Sequence, residues 1–577
     1  MRKGNEMSLA APMTNRTKTA EIALWKSEGL FVAAITVIVL VLTSLPYLYG
    51  SLSTPADKHF MGIMLDVPDH AQYFSWMRDL STANLVSNKL TPEANQPLFF
   101  NLLWWGMGRL GRVLSLDYAS MYQVLRISAA ALFLALIYLV SAWFLKDRAQ
   151  RRTAFLVATF TSGFGWVLVA IKCLTHSDLL FPLDVYVAEG NTFLGVLGYP
   201  HFIAAALYIF VYYLILKGQA KGQLRYAVYA GLVALFLGWQ HTYDLVSVYA
   251  VLFVYAGLIA LRDRRLPRYL IFSGIIVGLL SCSAAVYSVW LTTVDPVWKA
   301  VLAQFTNAGV FTPNPLHLPI LLGAAFLLAI YTTIRKNPLR LAGKSDGEIF
   351  LIGWFMVTFL LVYLPVNYQI HLINGWQVPI AILATQGLYD YLAPMAETKL
   401  LPHLGNLKRW ISNGAAVRKV LSISLLVIVL PTNVYLLAWR FVDLSRHDYP
   451  YYLYTDEMGA MSWLSAHAQP DNVVLASLNT GQYVPMLTGA HAYLAHWAQT
   501  VDYYDKSKAV QEFFSTQTTD AQRMAILRQG RVTYVLYGPS ERQIGDPNLA
   551  VADYLKAVYS NTLVRVYQVE PEKLEVK

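Results

Sequence analysis

Charged residues are scarce in this chain, and cysteine is scarcer still. Asp, Glu, Lys and Arg make up 14% of the 577 residues, whereas a soluble globular protein has about a quarter. The two cysteines, Cys173 and Cys282, lie far apart beside apolar segments, which excludes a disulfide framework and a Cys-based metal site. The sequence also has no Gly-rich phosphate loop, zinc signature, G-x-S-x-G motif or internal repeat. These absences exclude several common classes of soluble enzyme.

Hydrophobic residues make up 56% of the sequence. Several apolar runs reach the roughly 17–20 residues that a helix needs to cross a bilayer. We predict a polytopic α-helical membrane protein with about eleven spans, at 30–49, 122–145, 153–171, 199–217, 226–241, 245–261, 269–292, 317–334, 349–366, 376–394 and 419–440. The first span is expected to be a retained anchor, because its charged leader is too long for a cleaved signal peptide.

Basic residues are distributed unevenly between the segments that join these spans. With the N-terminal segment 1–29 in the cytoplasm, 25 Lys and Arg fall on the cytoplasmic side and eight in the outer segments before the last span. Cytoplasmic loops of membrane proteins carry such an excess. The net charge of +10 therefore reflects topology, and no nucleic-acid partner is expected. An odd number of spans places residues 441–577 outside.

Residues 441–577 differ in sequence pattern from the predicted transmembrane domain, 30–440. NVVLASL, VTYVLYG and NTLVRVYQVE are typical of strands, whereas DEMGAMSWLSAHA, YYDKSKAVQEFFSTQ and TDAQRMAILRQG are typical of helices. We predict an extracytoplasmic mixed α/β domain, long enough for a core of its own. Its stretch LTGAHAYLAHWAQTVDYYDK is rich in groups suited to sugar contact (His496, Trp497, Tyr503 and Tyr504), with an ordinary domain core as the alternative interpretation.

The first outer loop, about 50–121, is long and contains two aromatic stretches. After Asp69, the residues Tyr73, Trp76, Met77 and Leu80 recur three and four apart, which predicts a helix with one aromatic face. PLFFNLLWWGMGRLGRVL predicts a second helix. Both are expected to lie in the membrane interface, where Trp and Tyr are favoured. A true membrane span is the alternative for the second.

Polar and ionisable residues cluster at the outer side of the predicted spans. Such groups at the rim of a membrane bundle are costly and usually serve a function. The outer set comprises Asp66, Asp69, His70, His176, Asp178, Asp184, Glu189, His201, His241, Asp244, Asn367, Gln369 and His371.

Asp66 and Asp69 are the candidate catalytic acids. They flank Pro68 at a predicted helix start, so a helix cap or a first-turn charge is the alternative for each. In a functional role, a carboxylate acts as a general base or binds a divalent cation.

The remaining outer residues also allow two interpretations. Glu189 heads a turn and His201 follows a proline at the start of a span, so a capping acid and an interfacial histidine are the alternatives to substrate binding. His241 and Asp244 are three residues apart on one potential helical face. That spacing suits a carboxylate-oriented imidazole or a purely structural hydrogen bond closing a short hairpin.

This layout resembles the GT-C superfamily of integral membrane glycosyltransferases, which use lipid-linked sugar donors. The stretches DHAQYFSWMRD, TPEANQPLFFNLLWWGMGRL, EGNTFLGVLGYPHFIAAAL, HTYDLVSVYAVL and GWQVPIAILATQGL are similar to those of a group of bacterial members. The resemblance implies a catalytic acid near the start of the first outer loop, a position that Asp69 fits best and Asp66 second. It also implies a soluble outer domain after the last span.

The resemblance implies further partners and a possible cofactor class. The donor would be a polyprenyl-phosphate-linked sugar, the acceptor a glycan, lipid or protein, and the surroundings membrane lipid. The first outer loop has no Asp-Asp, Asp-Glu or D-x-D pair, so the need for a divalent cation (Mg²⁺ or Mn²⁺) stays open, with Asp69 and Asp66 as its ligands if one binds. The C-terminal domain has no Trp-Trp-Asp, so the oligosaccharyltransferase branch is not expected.

Recognition of the donor phosphate departs from the family pattern. The outer loop between the ninth and tenth spans has Gln369 and His371 but no arginine. The phosphate would then fall to Lys299, Arg126 or His201.

We therefore expect an inverting glycosyltransferase of the hexosyl- or pentosyl-transferring type, in cell-envelope glycan biosynthesis at the outer face of a bacterial plasma membrane. Asp69 would act as general base, and the expected substrate-binding residues are His201, Glu189, His241, Asp244, His371, Gln369, Lys299 and Trp497. The alternatives are a transporter or flippase for lipid-linked saccharides, which would need broken helices and often a two-half repeat, and a glycan ligase or polymerase.

Overall fold

The structure, a computed structural model, describes residues 16–308, 311–400 and 413–574. The first half of the predicted cytoplasmic segment 1–29, and most of the basic loop after the tenth predicted span, lie outside the described residues.

Helices dominate the chain as far as residue 445. They are α1 Arg16–Leu52, α2 Val67–Leu80, α3 Leu102–Leu114, α4 Tyr118–Phe144, α5 Arg148–Phe160, α6 Gly165–Thr175, α7 Thr192–Gly198, α8 Pro200–Ala206, α9 Ile209–Lys221, α10 Arg225–Gly238, α11 Asp244–Asp263, α12 Arg268–Val294, α13 Pro296–Ala303, α14 Leu318–Arg335, α15 Asp346–Leu361, α16 Gln377–Gly387, α17 Ala393–Met395, α18 Gly414–Val429 and α19 Pro431–Ser445. A short strand, β1 Lys58–Phe60, precedes α2.

Eight helical stretches among the described residues are long and apolar enough to cross a membrane. The chain is a multi-pass membrane protein. The helices α10, α15 and α16 occupy the fifth, ninth and tenth predicted spans but have 14, 16 and 11 residues. A typical spanning helix has about 17–25 residues, so the number of eleven spans stays a prediction.

The two aromatic stretches of the first outer loop form α2 and α3, as predicted. The side chains of Trp76, Met77 and Leu80 are buried on one face of α2. Gly108 lets α3 approach α2 closely, because a Cβ atom there would lie 2.3 Å from the carbonyl oxygen of Met77. With 13 residues, α3 is about 20 Å long, too short for a bilayer core of about 30 Å.

Two helix breaks meet inside the bundle. The residues 161–164 interrupt the path from α5 to α6, and Gly323 has a non-helical φ of 69° inside α14. A Cβ atom on Gly323 would lie 2.2 Å from the carbonyl oxygen of Ser162, so only glycine fits this contact. The Asp184 carboxylate covers the break by accepting hydrogen bonds from the Gly165 amide (2.9 Å) and the Thr432 hydroxyl (3.0 Å). Non-helical backbone at such depth needs partners of this kind.

The chain after residue 450 forms a mixed α/β unit, as predicted. Its elements are β2 Tyr452–Tyr454, α20 Thr455–His467, β3 Val473–Leu475, α21 Leu478–Gly481, α22 Val484–Thr488, β4 His491–Ala492, α23 Tyr503–Phe514, α24 Asp520–Gln529, β5 Tyr534–Tyr537, α25 Pro539–Ile544, β6 Leu555–Ser560 and β7 Arg565–Val569. The five-stranded sheet has the order β4-β3-β5-β7-β6. Strand β3 is parallel to β4 and β5, whereas β7 is antiparallel to β5 and β6.

Helices cover both faces of this sheet. Leu475 of β3 packs with Phe513 of α23 and Leu527 of α24, whereas Val474, its neighbour in β3, packs with Leu464 of α20 on the opposite face. This alternation follows from the two-residue period of a strand. The sheet is therefore the middle layer of three.

The C-terminal unit is docked onto the first outer loop through backbone hydrogen bonds. Strand β1 pairs antiparallel with β2. The amide of Ala492 donates to the carbonyl of Lys89 at 2.9 Å, and the side chain of His491 lies 2.8 Å from the carbonyl of Thr91. Two segments some 400 residues apart thus form one surface above the helices.

Candidate active site

A cavity of about 570 Å³ lies where the first outer loop meets the C-terminal unit. This volume is within the usual range of ligand sites, about 300–1,000 Å³. Its wall is formed by α2 and α3, by residues of α8, α10, α11, α12 and α13, by Tyr368 and His371, and by the segment 496–499. Most of the lining is aromatic or aliphatic. Its titratable side chains apart from tyrosine are Asp69, His201, His241, His371 and His496, and no Lys or Arg is among the described residues that line it.

Asp69 lies in the first turn of α2 and faces this cavity. Its Oδ1 atom accepts a hydrogen bond from Nε2 of His496 at 2.7 Å, and its Oδ2 atom lies 3.4 Å from the Tyr73 hydroxyl. Burial by itself raises the pKa of Asp69, but the hydrogen bond from His496, together with the surrounding histidines, outweighs burial and holds that pKa well below its usual range. Asp69 is therefore an anion at neutral pH.

His496 is held as a neutral imidazole of one defined tautomer. Its Nδ1 atom accepts hydrogen bonds from the backbone amides of Ala498 (2.9 Å) and Gln499 (3.2 Å). A backbone N–H group only donates, so Nδ1 carries no proton and the ring proton sits on Nε2, directed at Asp69. The contact is a charge-assisted hydrogen bond rather than an ion pair. The side chain of His496 is 2% exposed, so water does not compete for this proton.

A tight turn fixes the position of His496. The hydroxyl oxygen of Thr500 accepts from the amides of Ala495 and His496, both at 3.1 Å, and its proton is donated to the carbonyl of Leu90 at 2.6 Å. The Asn88 amide group donates to the carbonyl of Gln499 at 2.9 Å. The loop that follows α2 therefore fixes the turn around His496, and His496 binds Asp69.

The surroundings of Asp66 shift its pKa in the opposite direction to that of Asp69. It takes the N-cap position of α2 with left-handed backbone angles, φ 44° and ψ 58°, and its side chain makes no capping hydrogen bond. Burial, together with the negative charges of Asp69 and Glu189, raises the pKa of Asp66 well above its usual value. Two neighbouring carboxyl groups with pKa values pushed apart are a common arrangement in active sites. Asp66 lies next to the ionised Asp69, and it does not itself line the cavity.

His201 lies next to this pair. Its Nε2 atom is 3.2 Å from the Tyr73 hydroxyl. Its Nδ1 atom is buried and has no hydrogen-bond partner among the described residues. A buried polar atom without a hydrogen-bond partner costs free energy, and Nδ1 of His201 is such an atom.

Two more histidines on the cavity wall are each paired with a carboxylate. Nδ1 of His241 lies 2.9 Å from Oδ2 of Asp244, which also accepts a hydrogen bond from the Asn374 amide group. Nδ1 of His371 is hydrogen-bonded to Oε1 of Glu189. Burial lowers the pKa of His371, but the Glu189 carboxylate outweighs burial, and the pKa of His371 is raised. In both pairs Nε2 has no partner among the described residues.

The predicted site residues fall into three groups. Asp69, His201, His241, His371 and Trp497 line the cavity. Glu189, Asp244 and Asp66 stand behind them. Gln369 and Lys299 do not line the cavity: Lys299 is exposed on α13, whose opposite side, with Trp298, is buried.

Arg126, the other predicted phosphate ligand, is buried in the bundle. Its guanidinium group donates to Gln123, Thr43 and Ser44, at 2.6 to 2.8 Å. These bonds use the side chain within the helix bundle, away from the cavity lining.

Several aromatic residues that line the cavity were not predicted as site residues. Tyr73 stacks on Trp104 with ring centroids 4.5 Å apart, and Tyr243 lies beside both His241 and His371. The Asp69–His496 contact joins residues 427 positions apart. The histidine-rich stretch around His496 was a signal for a polar site, but nothing in its local pattern indicates this partner.

The residues present do not fit a divalent cation. Among the described residues, no group of three or more His, Cys, Asp or Glu could hold a metal ion. Asp69 already accepts a hydrogen bond from His496, and the raised pKa of Asp66 disfavours the ionised oxygen ligands that such a cation needs.

Comparison with known proteins identifies the fold. No protein-family model and no curated protein sequence matches the chain. Solved structures do match. The oligosaccharyltransferase of Archaeoglobus fulgidus, crystallised with a tethered acceptor peptide, is 14% identical with a TM-score of 0.51, over 96% of this chain and 75% of that one. The same enzyme in complex with Zn and sulfate is 12% identical with a TM-score of 0.52, over 93% of this chain and 74% of that one.

A second solved enzyme has a similar structure. An arabinofuranosyltransferase from Mycobacteria is 13% identical with a TM-score of 0.50, over 93% of this chain and 41% of that one. At this identity the likeness concerns the fold. The chain has the same fold as these two enzymes, which confirms the fold that the GT-C resemblance of the sequence implied.

Proposed function

We propose that this protein transfers a sugar from a polyprenyl-phosphate-linked donor to an acceptor at the outer face of the membrane, with inversion at the anomeric carbon. The observation that carries this proposal is the ionised Asp69, which faces a largely apolar cavity and is oriented by a neutral His496. The acceptor is a glycan, a lipid or a protein, and the sugar a hexose or pentose.

Asp69 would act as the general base. The acceptor hydroxyl attacks the anomeric carbon, a new C–O bond forms, and the bond from that carbon to the phosphate oxygen breaks with its electron pair leaving on the polyprenyl phosphate. The hydroxyl proton passes to Asp69. Oδ1 is occupied by His496 at 2.7 Å, whereas the Tyr73 hydroxyl is 3.4 Å from Oδ2, so Oδ2 is the oxygen available to the acceptor.

The cavity lining supports a donor with an apolar tail and a sugar head. Trp239, Tyr287 and Val289 line its side toward α10 and α12, and Val289 is exposed on the outside of the bundle. A polyprenyl chain could follow this apolar side. Trp104 and Trp497 offer flat faces for a sugar ring near Asp69. His201, His241 and His371, with Asp244 and Glu189 behind the latter two, would complete the donor site.

No step of this mechanism runs through a metal ion, because the residues do not fit one. His496, rather than a metal ion, would orient Asp69.

The topology follows from the charge distribution. We propose that the segment 1–29 is cytoplasmic, that 30–440 is the transmembrane domain, and that the first outer loop and 441–577 lie outside a bacterial plasma membrane. The backbone pairing of β1 with β2 supports the placement of loop and domain on one side.

The test compares membranes that contain wild type, Asp69→Asn or His59→Asn at equal abundance. His59 is an exposed histidine of β1 outside the cavity and serves as the matched control. Radiolabelled polyprenyl-phosphate sugars are supplied one at a time with an envelope extract as the source of acceptors. Consumption of one donor by wild type and His59→Asn, but not by Asp69→Asn, supports the proposal and names the sugar.

Equal consumption by all three proteins would remove Asp69 from the centre of the reaction. Movement of the intact lipid across proteoliposome membranes, without consumption, would instead favour a flippase. Transfer of a whole glycan chain would favour a ligase or polymerase.

A further inference from the structure

We propose that His201, His241 and His371 form the binding site for the phosphate group of the lipid-linked donor, in place of arginine or lysine. This inference rests on the proposed function for the identity of the ligand, but it concerns a binding site that can be tested without sugar transfer.

Positively charged side chains other than histidine are absent from the described lining of the cavity. No Lys or Arg is among the described residues that line it. Lys299 is exposed on α13, and the guanidinium group of Arg126 is bonded within the bundle. A phosphate anion buried in an apolar cavity needs charge-assisted hydrogen bonds. Histidines are the remaining side chains that can supply a positive charge there.

The three histidines lie close together around one aromatic ring. The three imidazole rings surround the ring of Phe202, with centroid distances of 4.1 Å for His201, 5.7 Å for His241 and 5.9 Å for His371. All three line the same cavity. They come from α8, from the turn before α11 and from the segment between α15 and α16, so the fold converges on this patch from three places.

One nitrogen atom of each of these histidines has no hydrogen-bond partner among the described residues. The carboxylate in each pair binds Nδ1 of His241 or His371, and Nε2 of these two histidines makes no hydrogen bond to the described residues. The Nδ1 atom of His201, whose side chain is 5% exposed, is also unpartnered among them. An anion that accepts hydrogen bonds from these nitrogens would satisfy them.

Two of the three carboxylates near the patch are each hydrogen-bonded to one of its histidines, and protonation of that histidine would neutralise the pair. Asp244 accepts from His241 and Asn374, Glu189 binds His371, and Asp69 binds His496. A carboxylate at Nδ1 orients an imidazole and favours its protonated form, as at many metal and catalytic histidines. The titratable groups that face His371 are Glu189, Asp69, Asp244, His201, Tyr243 and Tyr368.

Binding through histidines makes affinity for the phosphate depend on pH in the neutral range. Affinity requires protonated imidazole, so it is retained at low pH and lost as the pH rises through the pKa of the bound histidines. Where one required proton is lost, affinity falls by about tenfold per pH unit. A site made of arginine or lysine would show no such change in this range.

The experiment uses the full chain in detergent and two probes that differ only in the phosphate. The first is the methyl ester of farnesyl phosphate, a phosphodiester that keeps one negative charge at every pH used. The second is farnesol, the uncharged control. Binding is measured by tryptophan fluorescence at several values between about pH 6 and 8.5, on either side of the usual histidine pKa. The variants are His371→Gln, His241→Gln, His371→Arg and the control His59→Gln.

We expect wild type and His59→Gln to bind the phosphodiester more weakly as the pH rises, while farnesol binding stays constant. His371→Gln and His241→Gln should lose about 10- to 100-fold in affinity for the phosphodiester at low pH. His371→Arg should restore binding and keep it at alkaline pH. Farnesol binding shows that each variant is folded.

Binding of the phosphodiester that does not change with pH, or that equals wild type in both glutamine variants while farnesol still binds, would overturn the proposal. If the phosphate site behaves as expected but no donor is consumed in the transfer assay, the proposed function fails and the phosphate site stands. If a donor is consumed but the histidine variants bind normally, the reverse holds.

Discussion

Replacing His496 by Asn or by Gln separates its two hydrogen-bonding roles. Nδ1 holds the turn through the amides of Ala498 and Gln499, and Nε2 donates to Asp69. The Asn side chain reaches the position of Nδ1 and can accept from the turn, but it has no donor near Asp69. The Gln side chain reaches the position of Nε2 and can donate to Asp69, but it loses the acceptor for the turn.

The size of the effect follows from the contact with Asp69. A buried hydrogen bond to an ionised group contributes about 1.5–3 kcal/mol, and the 2.7 Å distance and 2% exposure place this one among the well-formed ones. If the bond orients Asp69 in the transition state, His496→Asn should lower kcat by about 10- to 100-fold with little change in KM. His496→Gln should retain most of kcat. Its cost should appear in the free energy of unfolding, by about 1–3 kcal/mol for backbone amides left without an acceptor.

The pH dependence provides a second readout for the same pair. The hydrogen bond lowers the pKa of Asp69 in the folded protein, so it stabilises the fold above the unfolded-state pKa, and that contribution disappears as the pH falls through the folded-state pKa. In His496→Asn, burial remains and the hydrogen bond is lost, so the pKa of Asp69 should rise. The acid limb of kcat/KM should move to higher pH, and the stability difference from wild type should shrink in acid.

The assay measures donor consumption and thermal unfolding for wild type, both variants and the control His59→Asn. A folded His496→Asn protein with wild-type kcat and an unmoved acid limb would refute the reasoning, because His496 would then serve the turn alone.

Two further perturbations test the neighbourhood of Asp69. Asp66→Asn should lower kcat less than tenfold, whereas Asp69→Asn should lower it by about 10²- to 10⁴-fold. Burial and the nearby carboxylates raise the pKa of Asp66, so Asn resembles its neutral form. Equal losses of kcat in both variants, measured as donor consumption, would contradict this. Gly108→Ala should destabilise the protein by about 1–3 kcal/mol, since the new Cβ atom would lie 2.3 Å from the Met77 carbonyl oxygen. Thermal unfolding would check this, with Gly106→Ala as the control because a Cβ atom at Gly106 meets no atom within 4 Å; equal unfolding temperatures would argue against close packing of α2 on α3.

Local patterns in the sequence predicted the elements that depend on local forces. The three- and four-residue spacing of Tyr73, Trp76 and Met77 identified α2, because one apolar face is what a helix needs in order to pack. The apolar runs near β3 and β5 likewise identified buried strands. The strands β4 and β6 were not predicted. β4 has two residues, and β6 has only one buried residue, Leu555, so neither has a strong hydrophobic pattern.

Contacts between distant segments could not be predicted in this way. The three-residue spacing of His241 and Asp244 predicted their hydrogen bond, which joins the turn before α11 to the first residue of that helix. His371 and Glu189 are 182 residues apart, and no local rule pairs them. Lys299 was expected at the phosphate because it is a cation in an outer segment, but the buried side of α13 is the side with Trp298, which leaves Lys299 exposed.

The position of His496 links the proposed general base to the docking of the C-terminal unit. The histidine that orients Asp69 belongs to the C-terminal unit, and the turn that holds it is bonded to residues 88–90 of the first outer loop. That loop leads directly from α2, which carries Asp69. The acid and its partner are therefore positioned by one continuous set of hydrogen bonds that forms only when the C-terminal unit is docked. The C-terminal unit thus completes the wall of the cavity and contributes the partner of Asp69.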